Sequence, residues 1–455
     1  MEFVWPDRSA LSQGGFEIVK KLRVKGFEAF VAGGAVRDAL LKRPIREIDI
    51  ATSATPAQVK KIFTKTIPTG EKHGTITIRI KDNNNYNHYE VTTYRKEGLY
   101  RDNRRPSSVK FLKSAEEDAK RRDFTVNALF YDPEKKAVID YVLGIADLKK
   151  KIIRLVGDSE ARIREDALRM LRAVRIATEL GFDIDRDTRR AIQKNAKLIL
   201  KISAERIKQE FDRLLMSEHP SIGIGVLDVL GLLQFIMPEL KRCQGVRQPR
   251  NQHSEGDVYA HSLLALEQVN EDYDLATRYA VLFHDLGKAE TRVVRQGRMT
   301  FYNHPQVGET IAKNICKRMK FSRADSRKVA WLVRYHMVPF DFPGMRLSTR
   351  RKWAQNPYFR DLLRVYLADV KASIPAIGRR SGRPVGLRQA IDILRELDNK
   401  PELSLPLISG YDVMKILKIK SGPKVGEILK KIDEQKLSGK LKSKTDAINF
   451  LKKEK

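Results

Sequence analysis

Cysteine is almost absent. Cys243 and Cys316 are the two in 455 residues, and no CxxC pair occurs. That excludes a disulfide framework and a cysteine zinc site. Long apolar runs are missing too. No stretch approaches ~18 uninterrupted apolar residues, the length of an ordinary membrane span. The opening MEFVWPDRSA has neither a basic start nor an apolar centre, so it does not read as a signal peptide. Acid is scarce beside base: Asp+Glu 57 against Lys+Arg 88, formal net charge +31. A soluble, cytoplasmic protein with a polyanionic partner is expected, because each phosphate contact releases counterions. A solubility surplus or an anionic membrane surface is the other reading of that charge.

The length suggests about three domains. Short β-branched or alternating runs at Phe27–Ala32, Glu47–Ala51, Thr75–Ile80, Tyr89–Tyr94 and Val138–Tyr141 predict a mixed α/β region over residues 1–150. NNNYN, residues 83–87, reads as a hairpin tip. Strand signals nearly vanish afterwards. Residues 151–236 carry apolar spacings of three and four, as in EDALRMLRAVRIATEL and ISAERIKQEFDRLL. Residues 237–375 form a second helical block, with five of the eight histidines between 253 and 372. Pro375–Pro384 looks like a linker, and a lysine-rich helical tail follows it, the two covered by a last region of residues 376–455.

Chemistry concentrates in ordered motifs. FVAGGAVRDALL, residues 30–41, is an apolar strand ending in Gly33 and Gly34 before a helix that carries Arg37. A glycine turn at a helix start frees N–H groups for phosphate. EIDIAT, residues 47–52, places Glu47 and Asp49 two apart on a strand, hence on one face. Glu90, in EVTTYR, could converge with them. Carboxylates suit Mg²⁺, which takes hard oxygen ligands. RRDFTVNALFYD, residues 121–132, brings Arg122, Asp123 and Asn127 to what reads as a helix start. In REDALRMLRAVR, residues 164–175, Asp166 and Arg169 are three apart on a predicted helix, and Arg172 and Arg175 continue that face. Such a face can be a salt-bridged surface. It can also be a base template: a carboxylate accepts from an exocyclic amine and an arginine donates to ring acceptors. Cytosine and adenine both present an amine beside an acceptor; guanine and uracil present a carbonyl beside an N–H at that edge.

Taken together, GGAVRD (33–38), EID (47–49), EKHGT (71–75), EVTTYR (90–95), RRDFTVNAL (121–129), EDALRMLRAVR (165–175) and ERIKQEF (205–211) resemble a class II CCA-adding tRNA nucleotidyltransferase, within the bacterial CCA-enzyme and poly(A) polymerase family. The resemblance continues into SGYDVMKILKIKSGPKVGEILKKI, residues 409–432. It implies a nucleotidyltransferase-type head, an all-α neck, a helical body and a small helical tail, with tRNA along the basic face. Glu47, Asp49 and Glu90 would be the catalytic acids, Glu47 and Asp49 holding Mg²⁺. Gly33, Gly34 and Arg37 would hold the triphosphate, and Arg122 and Asp123 the ribose. Asp166 and Arg169 would select the base of CTP or ATP. One departure stands out: the family usually has Asp where this chain has Glu47. RKEGLYRDNRRP, residues 95–106, matches a loop that is shortened in relatives adding only CC, so its presence favours full CCA addition.

His261, the pair His284–Asp285, His304, His336 and Asp369 fall on successive predicted helices. With LFHDLGKAET, residues 282–291, they resemble an HD-domain phosphohydrolase, whose imidazoles and carboxylates hold one or two divalent metals, a transition metal or Mg²⁺. Lys288 beside them could bind phosphate. The expected protein is a CCA-adding enzyme with an HD-type metal site. Its rivals are a poly(A) polymerase of the same family and an HD hydrolase whose transferase head only binds RNA.

Overall fold

The computed structural model describes residues 1–83, 85–97, 109–112, 114–249, 256–296, 298–373, 385–400 and 405–453. They form two compact units, Met1–Pro238 and Glu239–Lys455.

In the first unit, helix α1 (Ala10–Val24) starts where the Ser9 hydroxyl accepts from Ser12 N. It stops at Gly26, whose φ of 83° turns the chain left-handed while its N–H bonds Arg23 O. A side chain there would strain the turn. Buried Ile18, Val19 and Leu22 pack this helix on a sheet. Helices α2 (Gly34–Leu40), α3 (Pro56–Ile62), α4 (Ala115–Arg121) and α5 (Gly144–Lys150) surround the sheet strands β1 (Ala29–Ala32), β2 (Asp49–Thr52), β3 (Thr66–Gly70), β4 (Thr75–Asp82) and β5 (Asn85–Thr93). Two short strands, β6 (Arg95–Glu97) and β7 (Val109–Phe111), pair with each other. Strands β8 (Leu129–Asp132) and β9 (Ala137–Asp140) complete a seven-stranded sheet in the order β3-β4-β5-β2-β1-β8-β9. Strands β2 and β5 run parallel in register Asp49↔Glu90.

Each expected strand overlaps an observed one, and the hairpin around residue 84 joins β4 to β5, although Asn84 itself lies outside the described residues. Two readings need correction. Glu47 precedes β2 instead of lying on it, because pairing with β1 begins at Ala32↔Asp49. RRDFTVNALFYD is not a helix start. Arg121 ends α4, Thr125–Asn127 makes a 3₁₀ turn, and Leu129–Asp132 is β8. A strand of three apolar residues and an ion-paired Asp132, buried on both faces, has no period to separate helix from strand.

After the sheet come α6 (Ser159–Glu165), α7 (Leu168–Leu180), α8 (Arg186–Asn195) and α9 (Ala204–Leu215). The second unit is mainly helical. It includes helices Val258–Glu267, Leu275–Phe283, His304–Arg318, Arg323–Tyr335 and Phe359–Ala372. Helices Gly410–Leu417, Pro423–Leu437 and Lys444–Lys453 close on their own core of Val413, Ile432, Ala447 and Leu451. Pro375–Pro384 falls outside the described residues. Among the described residues no helix is long and apolar enough to cross a membrane.

Candidate functional site

Strand pairing sets Asp49 beside Glu90 on one sheet face. Burial, then the charges of Glu47 and Glu90, push the Asp49 carboxyl up to about 7, against the pull of Arg122. Such an acid gains from a cation, which fits divalent-metal binding. Glu47 is exposed. Its charge reaches Asp49, but it is not part of the cavity wall described below.

Gly33, at φ 78°, caps α2, and a Cβ there would come 3.2 Å from Arg122 Nη1. Arg37 Nη1 donates to Asn127 Oδ1 at 2.7 Å, while its other nitrogens bond Asp38. Asn127 therefore holds Arg37 beside the glycine turn of Gly33 and Gly34. Arg121 and Arg122 share the buried Asp118, at 2.6 and 3.1 Å. Burial opposes charge on Asp118, but Arg122 and Arg121 outweigh it and hold the carboxyl below its usual range. Asp123 accepts from Phe124 N at 2.8 Å and from Arg172 Nε at 2.9 Å. Burial again opposes the charge, and Arg172 overcomes it, taking Asp123 down to about 2.

Asp49, Glu90, Arg122, Asp123, Asp166, Arg169 and Arg172 line one cavity of about 330 Å³. Strand acids and helical base-template candidates thus meet in a space of nucleotide scale. The cavity wall also includes Arg95, Arg121 and Arg206, which the sequence reading left without roles. Arg95 and Arg206 belong to the family-like motifs EVTTYR and ERIKQEF, so the signal was present.

The template differs from the helical pair expected. Asp166 is not on α7; it is the extended residue capping α6, and its Oδ1 accepts from Leu168 N at 3.0 Å. Its charge partner is Arg206, at 2.6 and 3.3 Å, not Arg169. Arg169 bonds Glu165 at 2.7 Å. Arg175 does not share the cavity. It is 3% exposed and locked to Glu210 at 2.5 Å and Glu179 at 2.7 Å. Each step of three along a helix drifts by ~60°, so the second step from Arg169 has left the face.

In the second unit all six expected ligands converge. His261, His284 and Asp285 form one group of possible metal donors, and Asp285, His304 and His336 another. Asp285 Oδ2 is 3.3 Å from His284 Nε2 and 3.8 Å from His261 Nε2; Oδ1 is 3.6 Å from His304 Nε2 and 3.8 Å from His336 Nε2. Asp369 Oδ1 lies 3.0 Å from His261 Nε2. The Nδ1 atoms of His284, His304 and His336 sit 2.7, 2.9 and 2.8 Å from the carbonyls of Val281, Phe301 and Val333. Those nitrogens must donate, so each Nε2 presents a lone pair inward. Two such lone pairs face each other at 3.2 Å in His304 and His336, and His284 Nε2 is buried against Asp285 without making a hydrogen bond. Burial, then the neighbouring His284, pushes His336 down to about 3, keeping it neutral. The residues fit a divalent ion at either group. Lys288 Nζ bonds Asp285 at 2.6 Å and Gln248 Oε1 at 2.8 Å.

Known proteins match the chain region by region. The poly A polymerase head domain model matches residues 29–154, a model for a probable RNA and SrmB-binding site of polymerase A matches 181–244, and the HD domain model matches 257–372. Nucleotidyltransferases of this kind and HD domains depend on divalent metals. The chain is 33% identical over 438 residues to the CCA-adding enzyme of Streptococcus sanguinis (strain SK36), covering 96% of each. It is 42% identical over 280 residues to the CCA-adding enzyme of Geobacillus thermodenitrificans (strain NG80-2), spanning 62% of this chain and 64% of that one. The crystal structure of the Bacillus stearothermophilus CCA-adding enzyme in complex with CTP superposes with a TM-score of 0.70 at 29% identity over 98% of both chains. The chain belongs to the CCA-adding enzyme family of nucleotidyltransferases.

Proposed function

We propose that this chain adds C, C and A in turn to the 3′ end of tRNA, using CTP and ATP. The observation that carries the reading is the single cavity shared by Asp49 and Glu90 with Asp166 and Arg169. Asp49 and Glu90, with Glu47 at the margin, would hold Mg²⁺, which when bound supplies activation of the RNA hydroxyl and charge for the departing pyrophosphate. The Gly33–Gly34 turn and Arg37 bind the triphosphate, and Arg122 and Asp123 meet the ribose. Arg172 keeps Asp123 ionised and oriented. Asp166 accepts from the exocyclic amine of C or A and Arg169 donates to the ring. Since Arg206 already engages both oxygens of Asp166, the base must share that carboxylate. The working division is a head over residues 1–150, a neck over 151–236, a body over 237–375 and a tRNA-binding tail over 376–455, in a cytoplasmic enzyme.

The test is incubation with tRNA lacking its 3′ end. CTP alone should give CC ends, CTP with ATP should give CCA, and ATP alone should give nothing. Runs of A from ATP alone would make the enzyme a poly(A) polymerase instead.

A metal-dependent phosphohydrolase activity in the second unit completes the proposal, supported by the inward Nε2 atoms around Asp285 and by the buried His284 Nε2, which makes no hydrogen bond. A divalent ion bound there, Mg²⁺ or a transition metal, would supply an activated water. Lys288 would bind a phosphoryl oxygen. Hydrolysis of 2′,3′-cyclic nucleotides or pyrophosphate with Mn²⁺, Ni²⁺ or Mg²⁺ tests it. Inactivity with all three would leave a structural site.

A further inference from the structure

Strands β4 and β5 pair in the register Thr77↔Glu90, Arg79↔His88, Lys81↔Tyr86. Opposite residues of such a pair, and alternate residues along each strand, share one face. A row therefore leads outward from Glu90: first Arg79 with His88, then Lys81 with Tyr86. At ~3.3 Å per residue it runs about 13 Å from Glu90 to Tyr86. The other face of the hairpin, with Ile76, Ile78, Tyr89 and Val91, is buried in the core. Outward from the buried Thr77 this face is open: Lys81, Tyr86, His88 and Glu90 are exposed, Tyr86 by 38%, and Arg79 is half-buried. Lys65 joins the row from the segment entering β3, where its carbonyl accepts from Arg79 N at 3.0 Å. Arg79 Cζ lies 4.5 Å, and Lys65 Nζ 5.4 Å, from the centre of the Tyr86 ring.

The charge of this row is not neutralised. Nearby, Lys21 pairs with Glu17 and Lys60 with Glu71. Among the described residues Lys65, Arg79 and Lys81 have no carboxylate partner within ion-pair distance. Position adds a second constraint. In the sheet order, β4 and β5 lie on one side of β2, and β1, which ends in the Gly33 turn, lies on the other. The row and the proposed triphosphate site therefore flank the acids from opposite sides. In-line displacement needs the attacking hydroxyl and the leaving pyrophosphate on opposite sides of the reacting phosphorus.

We propose that Lys65, Arg79, Lys81 and Tyr86 form the track that holds the 3′-terminal strand of the acceptor RNA and delivers its hydroxyl to Glu90, an inference that rests on the nucleotidyl-transfer reading above. The cations bind phosphates. The guanidinium stacked on Tyr86 offers a flat platform on which any base can lie, so the track is blind to sequence.

The variant Arg79→Ala/Lys81→Ala in the full chain tests this, because both side chains are at the surface and their loss leaves the core intact. With tRNA lacking its 3′ CCA as acceptor, KM for tRNA should rise about 10-fold at moderate salt. The slope of log KM against log salt should fall by about 1.4, the sum for two single-strand phosphate contacts. KM for CTP, kcat at saturating tRNA and the melting temperature should stay within twofold or a degree of the parent. Tyr86→Ala should raise KM for tRNA alone, and Tyr86→Phe should restore it. An unchanged tRNA KM and salt slope would overturn the proposal. So would a rise confined to the KM for CTP, which would make the row a free-nucleotide site. If the parent itself adds no nucleotides, the transfer reading fails. Direct tRNA titration of parent and variant by fluorescence anisotropy still decides the track, with an unchanged Kd counting against it.

Discussion

The acids of the first unit and those of the second are placed in opposite electrostatic settings. Asp49 stands beside Glu90 on a paired strand, and burial with the charges of Glu47 and Glu90 lifts it to about 7. Asp369 is buried too, yet the hydrogen bond from His261 and then the neighbouring His284 outweigh that burial and take it down to about 2. Asp285 is held well below the usual carboxylate range: burial raises it, and Lys288 and His284 more than offset the rise. The first site is an open cavity of acids that repel one another until a cation arrives. The second is buried and compensated by its own side chains. Mutual repulsion suits ions that enter with a triphosphate and leave with pyrophosphate. Internal compensation, with imidazoles already oriented by backbone carbonyls, suits a resident ion.

The largest expected effect breaks the first site alone. Asp49→Ala should lower nucleotide addition by on the order of 10³-fold or more, the scale of losing a preorganised charge-stabilising group. Affinity for tRNA should stay within a few fold, because distributed basic residues hold it. Near-normal turnover would rule out the acid assignment. Glu47→Ala sharpens the same point. A matching loss would make Glu47 a ligand despite its exposed position before β2, and Glu47→Asp should then retain or improve activity. A silent Glu47→Ala would reduce it to a charge that tunes Asp49.

The converse experiment breaks only the second site. His284→Ala with Asp285→Ala should remove bound metal, measured as metal content of the purified protein, together with any phosphohydrolase activity. CCA addition should continue near the parent rate, apart from stability lost with the ion. Collapse of nucleotide addition at an unchanged melting temperature would show that the sites are coupled.

A smaller effect concerns selection. Arg206→Ala releases both oxygens of Asp166 and should shift discrimination of C and A against U and G. Asp166→Ala and Arg169→Ala should each cost roughly 1–3 kcal/mol of it, or about 5- to 150-fold, read by competition among all four nucleotides. Unchanged fidelity in the Asp166→Ala/Arg169→Ala double variant would return this region to an ordinary ion-paired surface.

The sequence carried the motifs better than their local shapes. Asp49 and Glu90 were legible because each sits in a short run that reads as a strand, EIDIAT and EVTTYR; the period of two that joined Glu47 to Asp49 failed, since β2 begins only at Asp49. The six HD ligands were legible because their residue types and order are distinctive, and the structure brings all six together. Asp166 was misread as helical because helical spacing continues across the break between α6 and α7, where one extended residue carries the bend. Its partner Arg206 lies 40 positions away, which no local period can report. LFYD was hidden for another reason: a strand buried on both sides has no alternation. Arg175 shows the limit of treating spacings of three as one continuous face. Its carboxylate partner Glu210 comes from a different helix.

The smallest effect, and the one that sets the two sites most directly against each other, is the pH dependence of stability without metal. A carboxyl raised to about 7 binds a proton in the folded chain that the unfolded chain has released. Stability of the first unit therefore falls as pH climbs from about 4 to 7, and the full penalty is present above 7. Asp49→Asn removes that penalty. In the presence of a chelator it should stabilise the unit at pH 8 by on the order of 2–4 kcal/mol, a few degrees in melting temperature, and by almost nothing near pH 4. Saturating Mg²⁺ should raise the parent toward the variant, since the ion takes over the role of the proton. The second unit should behave with the opposite sign. Asp369, lowered to about 2, contributes stability that is present above its unfolded value near 4 and lost as pH falls through 2, so Asp369→Asn should destabilise at pH 8. Thermal scans of both variants at pH 4 and 8, with chelator and with Mg²⁺, measure the contrast. If Asp49→Asn destabilises the metal-free protein at pH 8, burial and repulsion do not together disfavour the charge on Asp49, and the electrostatic distinction between the two sites fails.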